Sequence, residues 1–219
     1  MKTIALLNSS VAILALAVVP VNADIYTDAT GDFTGNTFMD ITSVNVTHDA
    51  SNLYFTINVA GPDLTANNWV NFLIGISTAP GGGANFNASG GWGLDLQMST
   101  DGMDYLVGGY PYWGTGGIYS WNGSTWVSGS GPWSSETTTS ATITVPLSSV
   151  GSPSTIKFDV WANSTGNNVL DALSDTTSRS WNNDPFNTGA NALTYVVPEP
   201  GSLALLGLAG LLAALRRKS

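Results

Sequence analysis

The feature that most constrains the fold is an alternation of apolar and polar residues that recurs along the middle of the chain. In residues 53–59, the apolar side chains Leu53, Phe55, Ile57 and Val59 occupy every second position. Successive side chains of a β-strand point to opposite faces, so a period of two places all four on one face of a half-buried strand. The same pattern recurs in residues 70–76, 141–147 and 156–160. Several such strands, without a 3.6-residue period, predict an all-β fold built as an antiparallel β-sandwich.

Short polar segments between these strands predict turns. Residues 48–52 should connect a strand at 43–47 to the strand at 53–59, and a second hairpin should span 118–127 around Asn122 and Gly123, with a loop of two or four residues. Residues 146–150 predict a helical turn. The glycine-rich stretches at 81–83 and 114–117 are predicted loops and not phosphate-binding cradles, because neither is followed by Lys-Ser/Thr or by a helix.

The N-terminal end has the layout of a secretory signal peptide. Lys2 is followed by an apolar stretch at 11–19 and then by the small-residue ending Pro20-Val21-Asn22-Ala23. This order of charged, apolar and small residues predicts a signal peptide at residues 1–23 that is cleaved after Ala23. The β-sandwich domain is then expected to span residues 24–197.

The C-terminal end carries a second targeting signal. Pro198, Glu199 and Pro200 are followed by an apolar run at 202–215 and by Arg216, Arg217 and Lys218. This tail, residues 198–219, resembles the PEP-CTERM sorting tail of bacteria that make exopolysaccharide. The resemblance implies recognition and cleavage by a membrane-embedded exosortase, transient anchoring in the inner membrane, and a final place at the cell surface or in the extracellular matrix.

The apolar run is short for a membrane span. A helix rises about 1.5 Å per residue, so residues 202–215 would extend about 21 Å across a hydrocarbon core of about 30 Å. The three cations that follow it fit retention on the cytoplasmic side, and local thinning can accommodate the shortfall. We therefore expect a short C-terminal transmembrane helix.

The charge and the cysteine content limit which partners and metal sites the domain can have. Between the two terminal segments the chain has two basic and fourteen acidic residues, a formal charge of −12. Nucleic acid is excluded as a partner, since backbone binding needs clustered Lys and Arg. The chain has no cysteine, so disulfides and thiolate metal sites are excluded as well.

The first third of the domain resembles a second group of families. The acidic loop Asp28-Ala-Thr-Gly-Asp32, the segment Asp40-Ile-Thr-Ser-Val-Asn-Val and the segment Asn52-Leu-Tyr-Phe-Thr-Ile are similar to the start of DOMON-like and family-nine carbohydrate-binding modules. The resemblance implies a jelly-roll-like sandwich that binds sugars, sometimes haem, and often calcium.

Two acidic loops are candidate calcium sites. Asp28 and Asp32 flank Thr30-Gly31, and Asp101 and Asp104 flank Gly102-Met103. Calcium takes six to eight oxygen ligands, which carboxylates and the carbonyls of Gly-containing loops can supply. The alternative is that these side chains only cap their own backbone as Asx turns.

Aromatic residues suggest a carbohydrate-binding surface. Flat rings stack on the apolar faces of sugars, and neighbouring polar groups bond the hydroxyls. Seven rings lie close together among Gly and Ser: Trp92, Tyr110, Tyr112, Trp113, Trp121, Trp126 and Trp133. The alternative is that they pack the core, as we expect for Trp161, whose side chain should point away from Phe158.

No catalytic motif stands out. The single histidine, His48, is expected to be a solvated turn residue, and there is no nucleophile elbow. The sequence therefore predicts a non-catalytic envelope or exopolysaccharide-matrix protein that binds carbohydrate. The alternatives are a structural or adhesion protein without a sugar site and, more distantly, a calcium-dependent glycoside hydrolase built on two aspartates.

Overall fold

A computed structural model describes residues 23–78, 83, 85–86, 96–98, 102–131, 133–164, 168–177, 186–187 and 192–197. At positions 133, 168, 186 and 187 it describes the backbone alone. Within these residues the secondary structure consists of strands and short 3-10 turns. The strands are β1 (Asp24–Thr27), β2 (Ile41–His48), β3 (Asn52–Val59), β4 (Val70–Ser77), β5 (Leu96–Gln97), β6 (Tyr105–Tyr110), β7 (Thr115–Trp121), β8 (Trp126–Gly129), β9 (Trp133–Glu136), β10 (Ser140–Pro146), β11 (Thr155–Ser164), β12 (Asn168–Ala172), β13 (Phe186–Asn187) and β14 (Leu193–Val196).

The strands form two main antiparallel sheets. The first has the order β1-β2-β3-β10-β9, and the second has the order β12-β11-β4-β6-β7-β8 with β14 also paired to β11. A small parallel pair joins β5 to β13. The chain passes between the sheets from β3 to β4, from β8 to β9 and again from β10 to β11. The predicted antiparallel β-sandwich is confirmed.

The main core lies between the two sheets. Phe55 and Ile57 of β3 face Phe158 and Val160 of β11, and all four are fully buried. The rings of Phe55 and Phe158 meet edge to face with their centroids 5.5 Å apart. The alternation in residues 53–59 therefore has the predicted consequence, because its apolar positions enter this core while Tyr54, Thr56 and Asn58 are half-buried on the opposite face.

The outer face of the second sheet is covered as well. Trp161, Leu73 and Leu106 lie on this face in a second apolar cluster with Phe86 and Met103. Trp161 is fully buried and points away from Phe158, as predicted. β4 is consequently buried on both faces along its length, whereas its sequence pattern predicted a strand buried on one face.

The glycine at position 75 makes this second cluster possible. A Cβ atom at Gly75 would lie 2.7 Å from both the Trp161 ring and the sulfur of Met103. Only a residue without a side chain allows the indole to lie this close to the sheet, so Gly75 is required by packing.

The predicted connections are mostly confirmed. The 43–59 hairpin turns through residues 49–51, and Leu147–Val150 forms the predicted helical turn, a 3-10 turn. The β7–β8 loop has four residues, and the side-chain oxygen of Asn122 accepts bonds from the backbone N–H of Ser124 (3.0 Å) and Thr125 (2.9 Å).

The prediction for residues 114–117 was largely wrong. Gly116 and Gly117 pair with Gly109 and Gly108 inside the β6–β7 ladder, and only Gly114 (φ 59°) forms the turn. Paired glycines remove side chains from the sheet surface but keep their backbone hydrogen bonds, so composition alone indicates a loop where a ladder forms.

Candidate cation site and aromatic surface

Three carboxylates from distant parts of the sequence converge at one edge of the sandwich. Asp28 follows β1, Asp32 lies in the loop after it, and Asp171 belongs to β12 in the other sheet. One oxygen of each lies within 4.8 Å of the other two. The cluster therefore joins the beginning of the first sheet to the edge of the second.

Local hydrogen bonds hold the loop that carries Asp28 and Asp32. The backbone N–H of Asp28 donates to the Thr42 carbonyl (3.0 Å), and that of Ala29 donates to the Asp28 carboxylate (2.7 Å). Gly31, at φ 89°, donates its N–H to a carboxylate oxygen of Asp40 (2.8 Å). This left-handed conformation suits glycine and turns the chain so that Asp28 and Asp32 approach each other.

Asp40 is a fourth aspartate beside these three, and the sequence analysis assigned neither Asp40 nor Asp171 to the calcium site. Asp171 accepts hydrogen bonds from the backbone N–H of Ile41 (2.5 Å), across the sandwich, and of Ala172 (2.8 Å). Asp40 is 1% exposed and lies beside Asp32. Asp40 adjoins the loop in sequence and could have been suspected, but Asp171 is 143 positions after Asp28 and only the pairing of β12 brings it close.

Several oxygens of the cluster are buried without a donor. They are one oxygen of Asp28, both oxygens of Asp32 and one oxygen of Asp40. Asp32 is only 7% exposed. A buried carboxylate oxygen without a partner is costly, so this arrangement calls for a proton or a cation.

The pKa values of the clustered carboxyls also indicate that the site calls for a proton or a cation. Burial, followed by the charge of Asp171, raises the pKa of Asp28 to about 9. Burial, with a smaller contribution from Asp32, raises the pKa of Asp171 to about 8 against the opposing hydrogen bond from Ile41. Burial and the adjacent Asp40 raise the pKa of Asp32 to about 6. The cluster therefore holds protons near neutrality, and a divalent cation could replace them.

The other predicted calcium loop is built differently. The carboxylate of Asp104 accepts bonds from the backbone N–H (2.6 Å) and the hydroxyl (3.1 Å) of Thr78, which follows β4. Asp104 is not in the three-carboxylate cluster. Asp101 lies outside the described residues.

The predicted aromatic set divides into two groups. The first is Tyr112 and Trp113, in the 3-10 turn Pro111–Trp113 that follows β6, and they are 45% and 60% exposed. Their rings meet edge to face with centroids 4.9 Å apart. The Trp113 indole N–H donates to the Asn68 carbonyl (3.1 Å), which fixes one edge of the ring and leaves a large part of it in solvent.

The second group is Trp121 and Trp126, a cross-strand pair on β7 and β8 with ring centroids 5.6 Å apart. Both are half-buried, and Trp126 packs on Phe86 with centroids 5.1 Å apart while its N–H donates to the Asn85 carbonyl. Tyr110 lies at the end of β6 and is half-buried. Trp92 and the side chain of Trp133 lie outside the described residues.

The family comparison decides the nature of the C-terminal tail. A family model for the PEP-CTERM protein-sorting motif matches residues 196–218. The chain ends in a PEP-CTERM sorting motif. A PEP-CTERM protein is exported, sorted to the cell surface through the membrane, and processed at its tail by an exosortase. A search of the curated proteins found no match to the chain.

The PEP-CTERM motif begins inside the folded domain. Val196 is the last residue of β14, and Val197 is buried with its N–H donated to the Ser154 carbonyl (2.8 Å). Pro198, Glu199, Pro200, the predicted helix at 202–215 and residues 1–22 of the predicted signal peptide lie outside the described residues. Among the described residues, no helix has the length and apolar character needed to cross a bilayer.

The histidine differs from its prediction. His48 is the last residue of β2 and is half-buried, and its Nδ1 lies 2.7 Å from the Tyr195 hydroxyl of β14. The two rings also meet edge to face with centroids 5.8 Å apart. His48 therefore helps to hold β14, the strand in which the PEP-CTERM motif begins, against the first sheet.

Proposed function

We propose that this PEP-CTERM protein is a non-catalytic surface or matrix protein that binds polysaccharide through Tyr112 and Trp113. The observation that carries the proposal is the exposure of Trp113, 60%, in a ring whose position is fixed by the hydrogen bond to Asn68. An ordered and exposed indole presents a flat apolar face without a further cost for ordering it, which suits stacking on a sugar ring.

The exposure of the two rings has no evident structural purpose. Among the residues that the structure describes, Tyr112 and Trp113 belong to neither apolar cluster of the sandwich. Truncating a buried Trp costs about 3–5 kcal/mol, whereas truncating an exposed one should cost much less. Stability and binding can therefore be separated at Trp113.

The test is affinity electrophoresis of the full-length protein in detergent, in gels containing dextran, xylan or galactomannan. Retardation by at least one polysaccharide is expected, and Trp113→Ala should reduce it about tenfold or more with little change in melting temperature. Trp113→Tyr should restore part of the affinity because it keeps a flat ring. Ile25→Ala is the matched control, since Ile25 is an exposed apolar residue on β1 (67%) outside the proposed surface.

Equal retardation of Trp113→Ala and the wild-type protein would refute the binding role of the pair. Prolonged incubation with the polysaccharide that retards the protein tests the non-catalytic part of the proposal. No new reducing ends are expected. Their appearance would favour the hydrolase alternative.

We further propose that Asp28, Asp32, Asp40 and Asp171 bind Ca²⁺ and that the ion stabilises the sandwich. Hard oxygen donors, several without a hydrogen-bond donor, are the ligand type that calcium prefers. Because Asp171 belongs to one sheet and Asp28, Asp32 and Asp40 to the other side of the sandwich, a bound ion would link the two. The acidic cluster also supports the second candidate function, a calcium-dependent structural or adhesion protein without a specific sugar site.

A further inference from the structure

The PEP-CTERM motif and the folded sandwich share two residues. The match to the motif starts at Val196, which is the last residue of β14 and lies opposite Thr155 of β11. The next residue, Val197, is 5% exposed, and its N–H donates to the Ser154 carbonyl (2.8 Å). Pro198 is bonded directly to Val197. The first two residues of the motif are therefore held in the fold.

The strand β14 is docked by a small number of contacts. In the part of the chain that the structure describes, it pairs with β11 alone. Tyr195 is fully buried, and its hydroxyl lies 2.7 Å from Nδ1 of His48. The Tyr26 hydroxyl donates to the Thr194 carbonyl (2.6 Å). A strand of four residues with one ladder partner is an element that detaches by local unfolding, at a free energy below that of global unfolding.

The docked strand restricts access to the motif. A chain advances at most about 3.6 Å per residue, so Pro198-Glu199-Pro200 can span no more than about 11 Å, and an enzyme that binds them works beside the folded domain. Extended peptides are recognised largely through main-chain hydrogen bonds and side-chain pockets. At Val197 the N–H is already bonded to Ser154 and the side chain is buried, so an enzyme can use neither while β14 is docked.

We infer that exosortase binds the PEP-CTERM motif only in molecules in which β14 has detached from β11, and that this detachment limits the rate of processing. The inference goes beyond the processing that the motif implies, because it assigns Val196 and Val197 to the recognised segment. When a segment opens and closes faster than it is cut, the rate of cutting follows the population of the open form. The contacts that hold β14 therefore slow the removal of the tail.

A disulfide between β14 and β11 tests the need for detachment. Thr155 and Val196 are directly opposite in the ladder, and both are exposed. Since the adjacent residues Ser154 and Val197 are hydrogen-bonded, the alternation of an antiparallel ladder makes Thr155 and Val196 a non-hydrogen-bonded pair, with Cα atoms about 4.5 Å apart. This separation suits a disulfide, and the chain has no cysteine that could compete for the new pair.

The assay is loss of the tail from the full-length protein in detergent, mixed with membranes of cells that produce an exosortase and followed by intact mass. Oxidised Thr155→Cys/Val196→Cys should be processed at least tenfold more slowly than the wild-type protein, and reduction should restore the rate. Val196→Cys alone should be processed like the wild-type protein. Insertion of Gly-Ser-Gly-Ser-Val-Val between Val197 and Pro198 should restore processing of the oxidised variant, because it supplies the motif with two valines outside the fold.

Removal of single hydroxyls tests whether detachment limits the rate. Tyr195→Phe removes the contact with His48, and Tyr26→Phe removes a bond to the backbone of β14. Each should increase the rate of processing about fivefold, the factor that one hydrogen bond contributes to such an equilibrium. Tyr54→Phe is the matched control and should leave the rate unchanged, because the Tyr54 hydroxyl donates an equally short bond (2.6 Å) to Asp49, at the turn between β2 and β3.

The possible results are distinct. Processing of the oxidised double variant at the wild-type rate would show that exosortase accepts the docked strand and would overturn the inference. Slow processing that persists after the insertion would overturn it as well, because the docked strand would then not be what blocks the motif. Wild-type rates in both Tyr195→Phe and Tyr26→Phe would disprove that detachment limits the rate. A wild-type protein that keeps its tail would reject the processing and the inference together.

Discussion

The clustered aspartates should make the stability of the calcium-free protein fall as the pH rises from 5 to 7. The pKa of Asp171 is raised to about 8 by burial, whereas an aspartate in an unfolded chain titrates near pH 4. Between these values the native state holds a proton that the unfolded state has released. Unfolding therefore releases a proton, and the free energy of unfolding decreases with increasing pH.

The size of this decrease in the free energy of unfolding can be estimated from Asp171 alone. Each proton that differs between the two states changes the free energy of unfolding by about 1.4 kcal/mol per pH unit. From pH 5 to 7, Asp171 should thus remove about 2.5 kcal/mol, which lowers the melting temperature of a domain of this size by about 5–10 °C. Asp28, whose pKa is raised to about 9, acts in the same direction.

Calcium should reduce this fall. In the site proposed above, Ca²⁺ would bind the ionised carboxylates of the native state, so it would replace the protons and bind more tightly as the pH rises. An ion present at 100 times its dissociation constant adds about 2.7 kcal/mol to the free energy of unfolding. The stabilisation by calcium should therefore be larger at pH 7 than at pH 5.

The assay is thermal unfolding of the full-length protein in detergent, followed by tryptophan fluorescence, at pH 5, 6 and 7 with millimolar Ca²⁺ or with a chelator. A smaller decrease in melting temperature with pH should remain in the presence of calcium, because Asp159 lies outside the cluster and burial raises its pKa to about 7. Its oxygens accept hydrogen bonds from the backbone N–H of Val160 and the hydroxyl of Ser174. A melting temperature that is constant or rises from pH 5 to 7 in chelator would refute the reasoning about the protons. A calcium effect of equal size at every pH would refute the exchange of protons for the ion.

Further predictions concern single residues and the chain ends. Asp171→Asn should abolish the rise in melting temperature on adding calcium, whereas Asp104→Asn should keep it, because Asp104 bonds Thr78 outside the cluster; equal responses would contradict the site. Gly75→Ala should lower the free energy of unfolding by about 1–3 kcal/mol in chemical denaturation, because its methyl group would collide with Trp161 and Met103; an unchanged midpoint would disprove that contact. Phe55→Ala should cost about 3–5 kcal/mol in the same assay, as expected for a fully buried ring between the sheets. Intact-mass measurement of the exported protein should show an N-terminus near Asp24 and loss of Leu203 to Ser219, and full-length mass would contradict processing.

The aromatic residues show that composition can locate a group of rings but cannot predict which of them are exposed. Local sequence identified a group of rings among glycines, but Trp126 lies against Phe86 while Trp113 extends into solvent. Exposure depends on which segment covers which face of the sheet. No feature of the sequence around Trp126 distinguishes it from Trp113 in this respect, and only the covering of the second sheet does.

Residues close together in the sequence determined the strands, most of the turns and the sorting tail. Alternation at 53–59 determines which side chains of β3 enter the core, because successive side chains of a single strand point to opposite faces. The PEP-CTERM motif could be recognised because its residues are contiguous in the sequence. Tertiary structure alone decided that β4 is buried on both faces, that Asp171 joins Asp28 and Asp32, and that Asn71 lies opposite Asn163. Each of these depends on the pairing of strands far apart in the chain, and a period of two specifies the face of a strand but not its neighbour.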